Sequence, residues 1–195
     1  MENSGNLKGT KTEQNLAKAY VLESTAYTRY IYFAKAARKE GYNFFADIFT
    51  QTANNEMEHA KTFLSYLQEE AVMAGSLEID PGILSPTEAN LKVAEHEEDL
   101  EGVKLYTQAA EDARNEGFAE IAVRFRIIAG VEAHHKERFE KMRKQIDTGT
   151  VWKREEPIKW QCRVCGYIFE GTEAPRKCPG CGNPQQQFQP EQGKV

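Results

Sequence analysis

Apolar residues recur at spacings of three and four along most of this 195-residue chain, the pattern of amphipathic helices. The pattern predicts four long helices, at residues 12–40, 43–74, 86–115 and 119–147. The connections at 41–43 and 116–118 are short, so each predicts an antiparallel hairpin of two helices. Gly41 and Gly117 mark the two turns, because glycine readily adopts the left-handed conformation that ends a helix.

The connection between the two predicted hairpins is longer and contains the proline-rich stretch GSLEIDPGILSP. It leads into Ser85-Pro86-Thr87-Glu88, which predicts a helix start with Ser85 as the N-cap and Pro86 at the first helical position. Two hairpins joined by one long crossover are typical of the ferritin-like four-helix bundle. The sequence therefore predicts a mainly α-helical protein with that architecture.

The two hairpins are similar in sequence. Without gaps, residues 40–63 align with residues 116–139 and share eight identities in 24 positions. The identical positions include a glutamate (56 and 132) and a histidine (59 and 135) as well as two phenylalanines. Because this repeat keeps Glu and His along with its core aromatics, we infer that it preserves a site.

Each predicted helix carries glutamate on the apolar face that should form the core. Along the fourth helix this face consists of Ile121, Phe125, Ile128, Glu132, His135, Phe139 and Met142. The corresponding polar residues are Glu56 and His59 in the second helix, Glu23 in the first, and Glu98 and Glu101 in the third. All four helices thus direct acidic groups at one common core.

Bound metal explains this cluster better than a structural role does. A lone glutamate on an apolar face is usually partly solvated, and a lone core histidine is usually hydrogen-bonded. Five converging carboxylates fit neither case, because each unpaired buried charge costs several kcal/mol of the ~5–15 kcal/mol that stabilises a domain. The same faces carry no Lys or Arg to neutralise them.

The donor types indicate which metal is expected. Carboxylates with two imidazoles suit iron or manganese, whereas structural zinc prefers thiolate and imidazole. Single glutamates on two helices and Glu-x-x-His motifs on the other two form the di-iron carboxylate arrangement. The candidate ligands are therefore Glu23, Glu56, His59, Glu98, Glu132 and His135, with Glu101 as a spare carboxylate suited to a site that changes oxidation state. His134 lies one residue off the face, outside this set.

The repeat is irregular at one point in the third helix. An offset of 76 residues pairs Tyr30 with Tyr106, but it pairs Glu23 with Asp99 rather than with Glu98. A one-residue slip, such as a π-bulge, would bring Glu98 into register, and we take this as a hypothesis.

The composition changes after residue 150, where the helical period gives way to Gly, Pro, Cys and aromatic residues. We therefore predict two domains, a bundle at 1–150 and a small module at 151–195. All four cysteines, Cys162, Cys165, Cys178 and Cys181, fall in two Cys-x-x-Cys-Gly knuckles of this module. This spacing indicates a tetrahedral thiolate metal site.

Four thiolates accept either iron or zinc, so the spacing leaves the metal open. Trp160, Tyr167, Phe169 and Phe188 predict an apolar shell, which favours a redox-active iron over a zinc that only folds the module. A pair of disulfides is a further alternative. The lack of cysteine in residues 1–161 disfavours it, because it indicates a reducing compartment.

Charge and composition narrow the function classes. The formal net charge is −5 and no long basic run is present, so nucleic acid is not an expected partner. No apolar run approaches the ~20 residues of a membrane span, and the polar N-terminus lacks the apolar core of a signal peptide. We therefore expect a cytoplasmic protein with no membrane partner.

The chain resembles rubrerythrins over nearly its whole length. The resemblance rests on VLESTAYTRYIYFAKAA, NNEMEHAKTF, EDLEGVKLY, ARNEGF, VEAHHKERF and the knuckles CRVCGY and CPGCG. It implies a ferritin-like di-iron domain followed by a rubredoxin-like domain with one iron on four cysteines. The ligands of the family correspond to the six candidates above plus Glu101, and its tyrosines beside the metal correspond to Tyr30 and Tyr106.

The resemblance also implies a function. Rubrerythrins are peroxidases that reduce hydrogen peroxide to water at an oxo-bridged pair of non-haem iron ions, in defence against oxidative stress. Electrons are expected to arrive through the Fe(Cys)4 centre from rubredoxin or an NAD(P)H-dependent reductase, within a head-to-tail homodimer or a higher homo-oligomer. Three alternatives stay open: a ferroxidase or iron-storage protein, an oxygen-reducing enzyme, and a non-catalytic metal-binding protein with a zinc tail.

Overall fold

The computed structural model describes residues 6–67, 71–77 and 86–191, without the side chain of Glu101. The helices are α1 (Lys11–Glu40), α2 (Asn43–Leu64), α3 (Thr87–Glu97), a π-helix (Glu98–Leu105), α4 (Tyr106–Asn115) and α5 (Ala119–Asp147). Because the π-helix continues α3 directly into α4, these three segments form one long helix. With α1, α2 and α5 it completes the predicted four-helix bundle. None of these described helices is long and apolar enough to cross a membrane.

The two tight turns between paired helices lie at the predicted glycines. Gly41, with φ 89°, and Gly117, with φ 88°, are both in the left-handed region. The backbone N–H of Gly41 donates to carbonyl groups in the last turn of α1, which satisfies the helix end. At the other end of α1, the Thr10 hydroxyl accepts the Glu13 N–H at 3.1 Å as an N-cap.

The second helix is shorter than predicted. It ends at Leu64 rather than at residue 74, since residues 65–67 form turns and residues 71–77 have no regular structure. The N–H of Leu67 bonds back to the Leu64 carbonyl at 3.0 Å, the tighter spacing that closes a helix end. Tyr66 and Leu67 still pack against the bundle core from these turns, whereas Met73 further along the chain is 80% exposed. The predicted extension was therefore wrong.

The start of the third helix also differs from the prediction. The helix begins at Thr87, and Pro86 takes the extended N-cap position instead of the first helical one. Proline has no polar side chain with which to cap a helix. The Thr87 N–H instead donates to the two carboxylate oxygens of Glu40, at 3.1 and 3.0 Å, so the end of α1 caps α3. Ser85, the predicted N-cap, lies outside the described residues.

The π-helix explains the irregular repeat. Glu23 and Tyr30 are seven residues apart in α1, whereas Glu98 and Tyr106 are eight apart in the third helix. A π-helix uses more residues per turn than an α-helix, so the segment Glu98–Leu105 absorbs the additional residue. The one-residue slip hypothesised from the sequence is confirmed.

Two aromatic clusters pack inside the bundle. In one, the rings of Phe63 and Phe125 stack with their centroids 4.9 Å apart. In the other, Phe49 and Phe139 stack at 5.2 Å. The glutamates of α2 and α5 fall midway between these pairs along each helix, so a buried polar layer lies between two aromatic layers.

The C-terminal module is a three-stranded antiparallel sheet. Its central strand is β1 (Lys153–Cys162), and its outer strands are β2 (Ile168–Glu173) and β3 (Phe188–Pro190), the last preceded by a short 3-10 helix (Gln185–Gln187). The core of the module consists of Trp160, Cys162, Ala174, Cys178 and Phe188. The module therefore has a far smaller core than the bundle.

The module contacts the bundle at the N-terminal end of α2. The ring of Tyr42 stacks on Trp152, with centroids 5.8 Å apart and 7° between the planes. Arg163, next to a knuckle cysteine, forms an ion pair with Asp47. The amide of Asn43 donates to a backbone carbonyl of the 3-10 helix at 3.2 Å. These contacts place the thiolate module at one end of the bundle rather than along its side.

Candidate metal centres

Six of the predicted ligands converge in the middle of the bundle. They form two overlapping donor sets, Glu23, Glu56, His59 and Glu132 in one and Glu56, Glu98, Glu132 and His135 in the other. Within each set, one donor atom per residue lies within 4.8 Å of the others. Because Glu56 and Glu132 belong to both sets, the cluster contains two adjacent candidate metal positions that share these two carboxylates.

The donors are shielded from water. Glu56 and Glu132 are each 1% exposed, and Glu98 is 5% exposed. The most open member is His59, whose side chain is 14% exposed. Water cannot solvate these charges, so they need counter-ions or protons inside the protein.

The imidazoles and carboxylates approach one another closely without hydrogen bonding. Nδ1 of His135 lies 2.7 Å from Glu132 Oε2, and Nδ1 of His59 lies 2.8 Å from Glu132 Oε1. These distances are short, but the directions are not those of hydrogen bonds, and both Nδ1 atoms and all carboxylate oxygens of Glu56 and Glu132 have no hydrogen-bond partner. Lone pairs that face one common volume without donors fit a pair of metal ions.

Without metal, protons would have to neutralise the cluster. Burial, reinforced by the neighbouring charges of Glu132 and Glu56, raises the pKa of Glu23 to about 8. Burial and the same two carboxylates raise the pKa of Glu98 well above its ordinary value. Burial alone would lower the pKa of His59, but the surrounding carboxylates outweigh it and raise the pKa to about 12. The site thus retains protons that cations would replace.

Two tyrosines hold the single carboxylates in a crossed arrangement. The hydroxyl of Tyr30 in α1 donates to Glu98 Oε1 on the third helix at 2.6 Å. The hydroxyl of Tyr106 on the third helix donates to Glu23 Oε1 in α1 at 2.7 Å. Each tyrosine therefore orients a carboxylate of the opposite helix, beside the donor cluster where the family resemblance placed both tyrosines.

The sequence pattern missed a buried ion pair beside the site. Arg29 Nη1 lies 2.5 Å from Glu97 Oε2, and the two residues are 8% and 5% exposed. The helical period alone placed Glu97 off the core face, and the absence of cations was inferred for that face only. In the sequence, Arg29 directly precedes the core residue Tyr30, and Glu97 directly precedes Glu98. This adjacency is the signal that could have indicated the pair.

A narrow cavity of about 20 Å³ adjoins the donors, which is room for about one water-sized molecule. Its polar lining residues are Glu23, Tyr30, Glu56, Glu97, Glu98, Tyr106 and Glu132, and its apolar ones are Leu22, Ala26 and Gly102. The carboxylates and both tyrosines therefore line one small space beside the donor sets.

Two further residues of the sequence analysis take different places. The backbone of Glu101 lies in the π-helix, but its side chain is outside the described part of the chain, so its role as a ligand stays a prediction. His134 is exposed on α5 and lies outside both donor sets.

The four cysteines form a second donor set in the module. They are free thiols, and all four Sγ atoms lie within 4.8 Å of one another. The left-handed Gly166 (φ 78°) and Gly182 (φ 73°) turn the chain after each knuckle. Asn183 donates to Cys181 Sγ at 3.3 Å, and this contact lowers the pKa of Cys181 to about 6. The knuckles thus present a compact thiolate set that fits one tetrahedral metal ion.

The apolar shell of the knuckles is smaller than predicted. Trp160 and Phe188 are buried in the module core, and Phe169 packs against them. Tyr167 is 37% exposed and does not belong to this shell, because it lies in the turn between the first knuckle and β2. The cysteines also differ in burial, since the first, Cys162, is buried and the last, Cys181, is exposed.

Comparison with protein families gives two matches. The model described as "Rubrerythrin" matches residues 14–104 and 90–164, and the model "Rubrerythrin, rubredoxin-like domain" matches residues 160–189. The chain is 44% identical to a rubrerythrin of Porphyromonas gingivalis, over 97% of this chain and 94% of that protein. It is 46% identical to a rubrerythrin of Clostridium perfringens, over 94% and 95% of the two chains.

Solved structures agree at the level of the fold. A mixed-valence nigerythrin structure covers 98% of this chain and 91% of its own, with a TM-score of 0.62 and 27% identity. A bacterioferritin of Mycobacterium tuberculosis covers 76% of this chain and 90% of its own, with a TM-score of 0.59. At 18% identity, the second likeness concerns the ferritin-like fold alone.

Proposed function

This chain belongs to the rubrerythrin family, and from that premise we propose that it is a peroxidase that reduces hydrogen peroxide to water in defence against oxidative stress. It carries a carboxylate–histidine cluster for a di-iron site and a four-cysteine cluster for a rubredoxin-like site. The observation that carries the proposal is the pair of donor sets that share Glu56 and Glu132, with the hydroxyls of Tyr30 and Tyr106 hydrogen-bonded to the remaining carboxylates.

We assign the iron ligands from the two donor sets. One ion would be held by Glu23 and His59, the other by Glu98 and His135, and both by the shared carboxylates of Glu56 and Glu132. Glu101 is proposed as the additional ligand on the strength of the family resemblance. Cys162, Cys165, Cys178 and Cys181 would bind one further iron, with zinc as the alternative metal there.

Two ferrous ions in the bundle would supply the two electrons that, with two protons, convert one hydrogen peroxide molecule into two water molecules. The protein contributes the surroundings. Tyr30 and Tyr106 fix the orientation of Glu98 and Glu23 through hydrogen bonds and line the space where the substrate would sit.

The thiolate module would return the electrons one at a time, from rubredoxin or an NAD(P)H-dependent reductase. Within one chain the module touches α2 at Asp47, and Glu56 lies nine residues further along the helix, or about 14 Å of helix rise. A second subunit that places its module beside the donor cluster would shorten this path. We therefore propose a head-to-tail homodimer.

The division of the chain follows from the same proposal. Residues 1–150 would form the di-iron domain, and residues 151–195 the rubredoxin-like domain, since α5 ends at Asp147 and β1 begins at Lys153. We also propose a cytoplasmic location, because four free thiols that surround one point suit a reducing compartment.

The test is anaerobic stopped-flow absorbance of the fully reduced, iron-loaded protein, mixed with hydrogen peroxide and separately with O₂. We expect rapid oxidation of the bundle iron by peroxide, followed by slower appearance of the ferric Fe(Cys)4 bands. In the matched control Cys178→Ser, the rapid phase should persist and the slower phase should disappear. Sluggish reaction with peroxide and fast reaction with O₂ would instead favour the ferroxidase or oxygen-reducing alternative.

A further inference from the structure

The backbone of the π-helix approaches one shared carboxylate side chain closely enough to exclude any side chain. A Cβ built on Gly102 would lie 2.4 Å from both Cβ and Cγ of Glu132 and 3.6 Å from its Cδ. Real Cβ atoms essentially never come within 3.0 Å of another heavy atom in this way. Gly102 and Glu132 are both buried, and both line the cavity of about 20 Å³ described above, so the open space beside their contact amounts to about one water molecule.

This contact differs from the corresponding position in the other half of the bundle. The offset of 76 residues pairs Gly102 with Ala26 in α1, which lines the same cavity and carries a Cβ. The α1 helix is α-helical throughout, whereas Gly102 lies in the π-helix. The close approach therefore accompanies the wider π-helical turn, which places backbone directly over α5.

We propose that Gly102 is a positioning residue for the di-iron site: its missing side chain lets the π-helix lie on the methylene groups of Glu132 and hold that carboxylate between the two metal positions. The inference rests on the assignment of Glu132 as a shared ligand. Glu132 carries no hydrogen bond on either carboxylate oxygen, so packing against Gly102 fixes its side chain where no polar partner does. An added methyl group displaces either the carboxylate or the helix that carries Glu98.

The chain provides a matched control. Gly130 is also a helical glycine near Glu132, but it is exposed on the outer face of α5, and a Cβ there meets nothing within 4 Å. The variants Gly102→Ala and Gly130→Ala thus make the same chemical change on opposite sides of the same ligand. The four-cysteine site in the same molecule serves as an internal reference for iron supply and for folding of the module.

The first experiment measures iron affinity and spectra of the two variants as full-length protein. Gly102→Ala should lose at least about tenfold in bundle-site iron affinity in an anaerobic Fe(II) competition titration, the usual effect of disturbing groups that orient ligands. Its oxidised bundle-site absorption and reduction potential should shift while the Fe(Cys)4 bands stay unchanged. Gly130→Ala should match the original protein and melt at the same or a higher temperature, because alanine is the better helix former.

A double-mutant cycle on the metal-free protein tests the contact itself, through the unfolding equilibrium constant from chemical denaturation. Gly102→Ala should change this constant at least about tenfold in the original background. In the Glu132→Gly background, where the opposing side chain is gone, the same substitution should no longer destabilise the bundle and should stabilise it slightly, because alanine is the better helix former. If Gly102→Ala alone does not fold, the double variant should recover the folded bundle.

Two results would overturn the proposal. One is a Gly102→Ala protein that binds bundle iron with the original affinity, spectrum and potential. The other is an equal cost of Gly102→Ala in both backgrounds, which would separate the effect from Glu132. The ligand assignment has its own readout, because Glu132→Gly should lose bundle iron; if it keeps both ions, the proposed site fails rather than the role of Gly102.

Discussion

In the bundle, the donors come from four helices and lie between residues 23 and 135 of the chain, whereas in the module all four come from residues 162–181. The bundle donors are nearly all buried carboxylates and imidazoles, and two of them are shared between metal positions. The module donors are thiolates, two of which are exposed. One region thus builds its site from long-range packing, and the other builds it from two local turns.

The two sites also differ in how metal binding is expected to contribute to folding. The bundle encloses its donors between two aromatic clusters, so the helices have a core that exists without metal. In its described part, up to residue 191, the module has five buried core residues, two of them cysteines, and too little apolar surface to stabilise a sheet on its own. Metal is therefore expected to organise the module but only to occupy the bundle.

The largest effect is expected from removing one thiolate. Cys178→Ser takes a ligand and a core residue from the module, and structural metal sites of this kind contribute roughly 10 kcal/mol to folding. We expect the module to unfold, with loss of the Fe(Cys)4 absorption and rapid proteolysis after residue 150. The helical circular dichroism of the bundle should remain.

The matched control removes a shared ligand from the other region. Glu56→Gln should lose bundle iron and leave both the module spectrum and the helical content intact. If Cys178→Ser instead leaves the module resistant to proteolysis, its fold does not depend on metal and the contrast between the two regions fails.

The second effect concerns the metal-free bundle and pH. The native pKa is raised for the carboxyl groups of Glu23 (to about 8) and Glu98, and for the imidazole of His135 (to about 9). Between about pH 5 and pH 8 the native state therefore binds more protons than the unfolded state, and stability falls as pH rises, by about 1.4 kcal/mol per pH unit for each additional proton. Urea unfolding of metal-free protein, followed by helical circular dichroism, should show this slope.

The variant Glu98→Gln sharpens this prediction. Glutamine removes one of the proton-binding groups but keeps an oxygen that accepts the Tyr30 hydroxyl. The metal-free variant should be more stable than the original protein at pH 8 and show a shallower slope, whereas its iron affinity should fall. A stability that rises between pH 5 and pH 8 would show that the cluster holds no additional protons.

A third, smaller effect is expected from removing the tyrosine hydroxyl in either half of the bundle site. Tyr30→Phe and Tyr106→Phe each remove one hydroxyl donor, to Glu98 and to Glu23. We expect each to lower the rate of reoxidation by peroxide about 10- to 100-fold, the usual cost of removing a group that orients a ligand. Similar losses are expected because the two hydrogen bonds are equivalent in length. Stopped-flow rates unchanged in both variants would show that these bonds do not orient the carboxylates.

The same contrast explains what the sequence could predict. The donor pairs 56/59 and 132/135 follow from spacing of three on a helix, and the knuckles follow from spacing of three in a turn, so both were visible locally. The π-helix was visible because the repeat supplied a reference for Glu98. Local sequence patterns were therefore sufficient to predict the donor residues that the structure brings together in both clusters.

Contacts between distant segments were not predictable in this way. The buried pair of Arg29 and Glu97 depends on how α1 faces α3, and the cap that Glu40 provides for Thr87 joins residues 47 positions apart. The end of α2 at Leu64 was also not predicted, since the apolar residues that follow gave a helical period, although Tyr66 and Leu67 reach the bundle core from turns. Tertiary packing decided each of these.

The smallest effect is expected at the contact between the two regions. Asp47 pairs with Arg163 of the module and, at 3.1 Å, with Arg38 of the bundle, and its side chain is 44% exposed. Exposed ion pairs of this kind contribute less than about 1 kcal/mol and weaken with salt. Asp47→Ala should therefore leave iron content and the unfolding midpoint of the bundle nearly unchanged, and Arg38→Ala, which keeps the pair to the module, serves as the control.

The informative readout for Asp47→Ala is proteolysis of the segment around residue 150. Faster cleavage than in Arg38→Ala, at low but not at high salt, would show that the ion pair restrains the module on its bundle. If Asp47→Ala instead destabilises the bundle by several kcal/mol, the two regions fold as one unit.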